Sequence, residues 1–164
     1  MKQNIDGARA NGGRIFQINA SDGGVPKLPL RRSEVDVFGL RGDAHNDTVH
    51  HGGVEKAISL YSLELILALQ AEGHPIYPGS TGENVTIAGL DWSQVVAGAR
   101  LGLGDSVEIE ITRYATPCST IRESFVDGQF ERISWRTHPG WARAYARVLR
   151  PGAIAIGDVV RLEM

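Results

Sequence analysis

Glycine interrupts this chain at twenty positions, and the apolar residues between them fall in short runs, several alternating with polar ones. Twenty in 164 residues is about 12%, against a usual ~7%. Alternation sends every second side chain of a strand to one face, and closely spaced glycines permit tight turns between strands. The combination points to many short strands and away from a helical bundle. Ser106-Val-Glu-Ile-Glu-Ile-Thr112 is the longest such signal, with Val107, Ile109 and Ile111 on one face and Glu108 and Glu110 on the other. Further strands are predicted at Arg14–Asn19, Ser33–Phe38, Val54–Leu60, Glu83–Ile87, Tyr145–Leu149 and Asp158–Leu162, with Val95–Gly104 as a turn-rich connection. One helix stands out at Ser62–Glu72. Ser62 can cap it, Leu63, Ile66, Leu67 and Gln70 follow helical spacing, and Gly73 can end it. A second short helix is predicted at Ser119–Val126. The expected fold is mainly β, a closed β-barrel with one or two packed helices, in a single domain.

Charge and cysteine content narrow the functions. Seventeen basic against nineteen acidic residues leave a formal charge of −2, which excludes the bulk basic footprint of non-specific nucleic-acid binding. A signal-like apolar run is not found in Met1–Asn19, and no stretch approaches 18 apolar residues. The expectation is a soluble, cytoplasmic protein without nucleic-acid or membrane partners. The single cysteine, Cys118, rules out an intramolecular disulfide framework and a multi-cysteine zinc site.

Cys118 is the leading candidate for chemistry. A lone cysteine is most often a small buried hydrophobe. This one follows Pro117 where a strand ends and precedes Ser119-Thr120, so a helix N-terminus there favours a thiolate, both nucleophile and soft ligand. Asp43, His45, Asp47, His50 and His51 share a polar loop, but their spacing matches no usual zinc pattern. A solvated loop explains them as well. Its tail, His51-Gly52-Gly53, offers unobstructed backbone amides to an anion. Pro78-Gly-Ser-Thr-Gly-Glu-Asn84 has the glycines of a turn but no P-loop lysine, and turn chemistry does not account for Glu83 and Asn84.

Several pieces, in order, resemble the MOSC domain, named for the C-terminal domain of molybdenum cofactor sulfurases. They are Pro26-Lys-Leu-Pro-Leu30, Gly39-Leu-Arg-Gly-Asp-Ala-His45, His50-His-Gly-Gly53 leading to Ala57, Gly79-Ser-Thr-Gly-Glu-Asn84 and Thr116-Pro-Cys118. Tyr145–Gly152 with Gly157–Val160 looks like the family's closing hairpin. The resemblance covers residues 12–162 as one domain, with 1–11 as an N-terminal extension. It implies a barrel like that of the pyruvate kinase barrel domain and a molybdenum cofactor (molybdopterin). Cys118 then becomes either a molybdenum ligand or a sulfur carrier. Lys27 is placed near the cofactor phosphate, Asn84 on the pterin side, and His51, Gly52, Gly53 and Glu83 in the matching motifs. Gly82-Glu83 stands where an Arg-Pro pair is expected, and the extra N-terminal β-domain and several cofactor arginines of larger amidoxime-reducing members are not expected here.

The preferred expectation is an oxidoreductase that reduces N-hydroxylated or N-oxide small molecules with Cys118 as molybdenum ligand. The chain carries no nicotinamide or flavin fingerprint, so electrons come from a separate donor protein. The alternative is a sulfur carrier with a persulfide on Cys118. A minor one is a hydrolase with Cys118 as nucleophile, His51 as base and Asp43 orienting it. In the first case Lys27, the 43–53 and 78–84 loops and the Cys118 segment are expected to share one pocket.

Overall fold

The computed structural model describes residues 12–44 and 53–163. The described residues form eleven strands: β1 Gly12–Ala20, β2 Leu28–Leu30, β3 Arg32–Asp36, β4 Gly39–Leu40, β5 Ile58–Ser62, β6 Val85–Ala88, β7 Arg100–Leu103, β8 Val107–Tyr114, β9 Ala144–Arg150, β10 Gly152–Ala155 and β11 Val159–Glu163. Seven close a barrel in the order β1, β11, β7, β8, β9, β5, β6 and back to β1, with β2 added outside β1. A small sheet of β10, β3 and β4 stands beside it. Ring closure removes the unpaired edges that would otherwise template association.

The alternation read in β8 carries the core. Val107, Ile109 and Ile111 are buried, while Glu108 and Glu110 are only partly covered. Ile15, Ile18, Leu60, Val85, Ile87, Leu101, Leu103 and Val160 fill the same interior. Each buried side chain of this size contributes roughly 1.5–3 kcal/mol over its exposed state. Among the described residues only β5 and β6 pair in parallel, which demands a crossover. The helix supplies it: α1 spans Leu63–Ala71, Ser62 accepts a hydrogen bond from the Leu65 amide, and Gly73 follows at φ +101°.

Five expectations are corrected. The inward face of α1 is Ile66 and Leu69, which pack with Tyr61, Ile76, Ile121, Phe125 and Ile133, whereas Leu67 is half exposed. Val54–Lys56 is a 3-10 turn, closed by the Lys56 amide on the Gly53 carbonyl, and β5 begins only at Ile58. The Ser119–Val126 helix is two 3-10 turns, Ser119–Ser124 and Val126–Gly128, divided by extended Phe125. There the Val126 amide donates to His74 Nδ1 (3.1 Å) rather than to a helical carbonyl. The chain end is not a hairpin: β9 lies between β8 and β5, β10 pairs with β3, and β11 joins β7 to β1. The 95–104 connection also contains β7, which the sequence reading missed.

Candidate functional site

Pairing register aligns Ile18, Val85, Leu60, Ala144 and Tyr114 in one row across five strands. Asn19 and Asn84 follow on one side of this row, and Arg143 and Ala115 on the other. Around Asn84 a polar network is buried. Its side-chain oxygen accepts from the Ser59 amide (3.0 Å), and its nitrogen donates to the Asn19 carbonyl (3.3 Å) and Asp43 Oδ2 (2.9 Å). Asp43 Oδ2 also receives Lys27 Nζ at 2.6 Å, with both side chains buried. Asp43 Oδ1 accepts from the Ser21 amide (3.0 Å). The Lys27 and Asp43 charges are thereby paired with each other inside the protein, as burial requires.

The 78–84 loop is threaded tightly through this network. Lys27 donates its amide to the Gly79 carbonyl (2.9 Å). Gly79 sits at φ +89°, where a Cβ would stand 2.5 Å from the Lys27 carbonyl oxygen and 3.1 Å from Asn19 Oδ1. Gly79→Ala therefore combines the ~1–2 kcal/mol cost of left-handed backbone with a clash against backbone. Its denaturation midpoint is expected to drop accordingly, and an unchanged midpoint would show that the loop can move aside.

Glu83 is completely buried beside the network. Oε1 accepts from the Gly79 amide (3.0 Å) and the Thr81 hydroxyl (3.1 Å), while Oε2 has no partner. Burial pushes the carboxyl from 4.5 to about 7, against the opposing pull of its own backbone, Arg143, Thr81 and Gly79. The folded protein thus keeps a proton that the unfolded chain releases above pH 4.5. Stability is full below that pH and falls as pH rises through about 7, by on the order of 3 kcal/mol from this group. Glu83→Gln should flatten that part of the pH–stability curve, as followed by urea unfolding from pH 5 to 8. An identical slope in the variant would assign the dependence elsewhere.

Arg143 links this region to the cysteine. Its guanidinium donates to the Thr81 carbonyl (2.6 Å), and its own carbonyl accepts from the Ala115 amide (2.9 Å). Nearby, Tyr61 Oη donates to the Trp141 carbonyl (2.6 Å), and burial holds this hydroxyl well above its ordinary pKa. Beyond Ala115 the chain runs through Thr116 and Pro117 to Cys118. Cys118 is half-buried, and its Sγ lies 2.9 Å from Thr120 Oγ1, its one hydrogen-bond partner among the described residues.

Lys27, Asp43 and Asn84 are thus brought into direct contact, with Glu83 adjoining them. Cys118 does not touch them; the connection runs through Arg143. Gly53 opens the 3-10 turn at φ +80° with nothing within 4 Å of its Cβ position. His45, Asp47, His50, His51 and Gly52 lie outside the described residues. Among the described residues no group of three His, Cys, Asp or Glu side chains could hold a metal, and no helix is long and apolar enough to cross a membrane.

The sequence reading missed an open cleft of about 560 Å³ along the end of β8, whose lining includes Ala97, Arg113, Tyr114, Thr116, Trp135 and Arg136. Trp135 Nε1 donates to Thr116 Oγ1 (3.3 Å), and the Arg136 guanidinium lies 5.0 Å from the Trp135 ring centre. The adjacent Trp135-Arg136 pair was the only local signal, because its partners lie about twenty residues upstream in the sequence.

A model of the MOSC domain matches residues 47–161. The chain belongs to the MOSC domain family. The YflK protein of Bacillus subtilis (strain 168), itself uncharacterized, is 29% identical over 142 residues, covering 85% of this chain. The chain spans 62% of that relative's length. Among solved structures, YiiM from Geobacillus stearothermophilus superposes with TM-score 0.71 at 23% identity, covering 93% of this chain and 75% of that one. The YUAD protein from Bacillus subtilis gives 0.71 at 19% identity, with 92% and 95% covered. YiiM from Escherichia coli gives 0.69 at 19%, with 93% and 70%. At these identities the likeness is one of fold, and it supports the mainly β barrel expected for a MOSC domain.

MOSC domains are associated with the molybdenum cofactor, and the donor chemistry here fits its metal end. Cys118 is the single thiol, half-buried with a hydroxyl at hydrogen-bond distance from its sulfur. A soft, hydroxyl-supported donor suits a soft metal.

Proposed function

We propose that this MOSC protein holds a molybdenum cofactor through the Cys118 thiolate and reduces N-hydroxylated or N-oxide small molecules in the cytoplasm. The observation that carries this is the setting of Cys118. It is a half-buried thiol supported by Thr120, on the loop leaving the longest alternating strand, two residues past Thr116, which lines an open cleft. When bound, the cofactor supplies the two-electron oxygen-atom chemistry.

The chain's own residues bind and orient. Thr120 Oγ can donate to the cysteine sulfur and lower its charge. Pro117 and the Ala115–Arg143 hydrogen bond fix where the loop leaves the barrel. Lys27, Glu83 and Asn84 serve in this proposal as a brace behind the ligand-facing loops, since their side chains bond inward to Asp43, Ser59 and Gly79. His51, Gly52 and Gly53 complete the family motif in the sequence. Removing oxygen from an N–OH group consumes two electrons and two protons and releases water. The electrons come from a separate donor protein.

Cofactor-loaded protein, chemically reduced under anaerobic conditions, is expected to convert an amidoxime to the amidine, with substrate and product followed by chromatography. Intact-mass spectrometry after incubation with a cysteine desulfurase addresses the sulfur-carrier alternative. A reducible gain of one sulfur atom on Cys118, together with no amidoxime turnover, would replace this proposal.

A further inference from the structure

The cleft lined by Thr116, two residues before Cys118, pairs exposed aromatic surface with positive charge that has no carboxylate partner among the described residues. Trp135 is 39% exposed and Tyr114 37%. Trp135 is held by its Nε1–H bond to Thr116, and Arg136 lies over its ring. Arg113 enters from β8. Among the described residues, neither Arg113 nor Arg136 has a carboxylate within ion-pair distance. The other well-placed arginines are committed: Arg132 to Glu72, and Arg147 to Glu55 and Glu110. A cleft of about 560 Å³ falls in the ordinary range for small-molecule sites. Guanidinium forks match carboxylate or phosphate oxygens, and an indole offers its face to a flat ring. Thr116 borders the cleft and Cys118 is two residues on, within ~7 Å along the chain.

The geometry points to this cleft as the substrate-recognition site, selecting a planar aromatic molecule that carries a carboxylate or phosphate. Its assignment to substrate rests on the reaction proposed above. The ring is held against Trp135 and Tyr114, the anion is held by Arg113 and Arg136, and the opposite end of the molecule is directed along Thr116 toward Cys118.

The test uses the full chain without cofactor and 2-naphthoate as probe, read by the indole N–H resonances of the three tryptophans. Trp135→Phe assigns the Trp135 signal. Naphthoate is expected to shift that resonance saturably while leaving those of Trp92 and Trp141 in place. The uncharged 2-naphthamide should bind at least about tenfold more weakly, and Arg113→Ala with Arg136→Ala should weaken naphthoate by a similar factor or more. Unmoved Trp92 and Trp141 signals in the double variant establish that it folds. No saturable shift of Trp135, or equal binding of the amide, would overturn the site. Displacement of naphthoate when the chain is loaded with molybdenum cofactor would overturn its assignment to substrate. Naphthoate binding by a chain that cannot take up molybdenum would leave the cleft intact and remove the proposed reaction instead.

Discussion

Asp43→Ala is expected to destabilise the protein by about 3–5 kcal/mol, the cost of leaving a buried charge without its partner. Asp43 Oδ2 is the shared acceptor of Lys27 Nζ at 2.6 Å and Asn84 Nδ2 at 2.9 Å, and Oδ1 takes the Ser21 amide. Removing the carboxylate strands an ammonium that is only 7% exposed. It also deprives Asn84 of one acceptor, though the Asn19 carbonyl remains. The loss should appear as a lower urea midpoint with an unchanged slope. Lys27→Met combined with Asp43→Leu removes both charges at similar volume and is expected to recover most of the loss. A single-variant cost below about 1 kcal/mol would mean that water reaches the pair, as at a surface ion pair. The network would then not be the brace described for the 78–84 loop.

What the sequence disclosed depended on whether the physics was local. The alternation of Val107 to Ile111 and the Ser62 and Gly73 ends of α1 are set within a few residues, and both were legible. The inward face of α1 was not. Helical spacing admits Leu67 as readily as Leu69, and only contact with Ile121, Phe125 and Ile133 selects Leu69. The strand β7 was hidden by Gly102, which reads as a turn. In the fold it is a strand residue whose missing side chain makes room for Arg161 and Glu163, whose atoms would stand 2.7 and 2.9 Å from its Cβ.

The candidate site divides in the same way. Lys27, Glu83, Asn84 and Cys118 stood in motifs and could be named. That Lys27 meets Asp43 rather than solvent is a tertiary fact, as is the full burial of Glu83, since carboxylates are seldom fully buried. Arg143 had no motif to announce it, and the cleft depends on three segments separated in the sequence, around Ala97, Thr112–Thr116 and Trp135–Arg136.

Cys118→Ser is expected to abolish N-reduction and to remove bound molybdenum. Serine is close in volume but a hard oxygen donor, unionised at neutral pH, so it cannot replace a soft thiolate. The sulfur's one hydrogen-bond partner, Thr120, is a hydroxyl that serine can also engage. Cys118 is half-buried and outside both apolar clusters, so the folding cost should stay within ~1 kcal/mol. A lost cofactor in a chain with a wild-type unfolding midpoint therefore reports on ligation rather than folding.

The most direct measurement is the molybdenum and pterin content of wild-type and Cys118→Ser proteins purified side by side from a molybdenum-replete host. Near-stoichiometric molybdenum in the wild type, falling more than about tenfold in the variant, is the predicted result. Well-folded wild-type protein containing neither molybdenum nor pterin, or a variant that retains both in full, would contradict it.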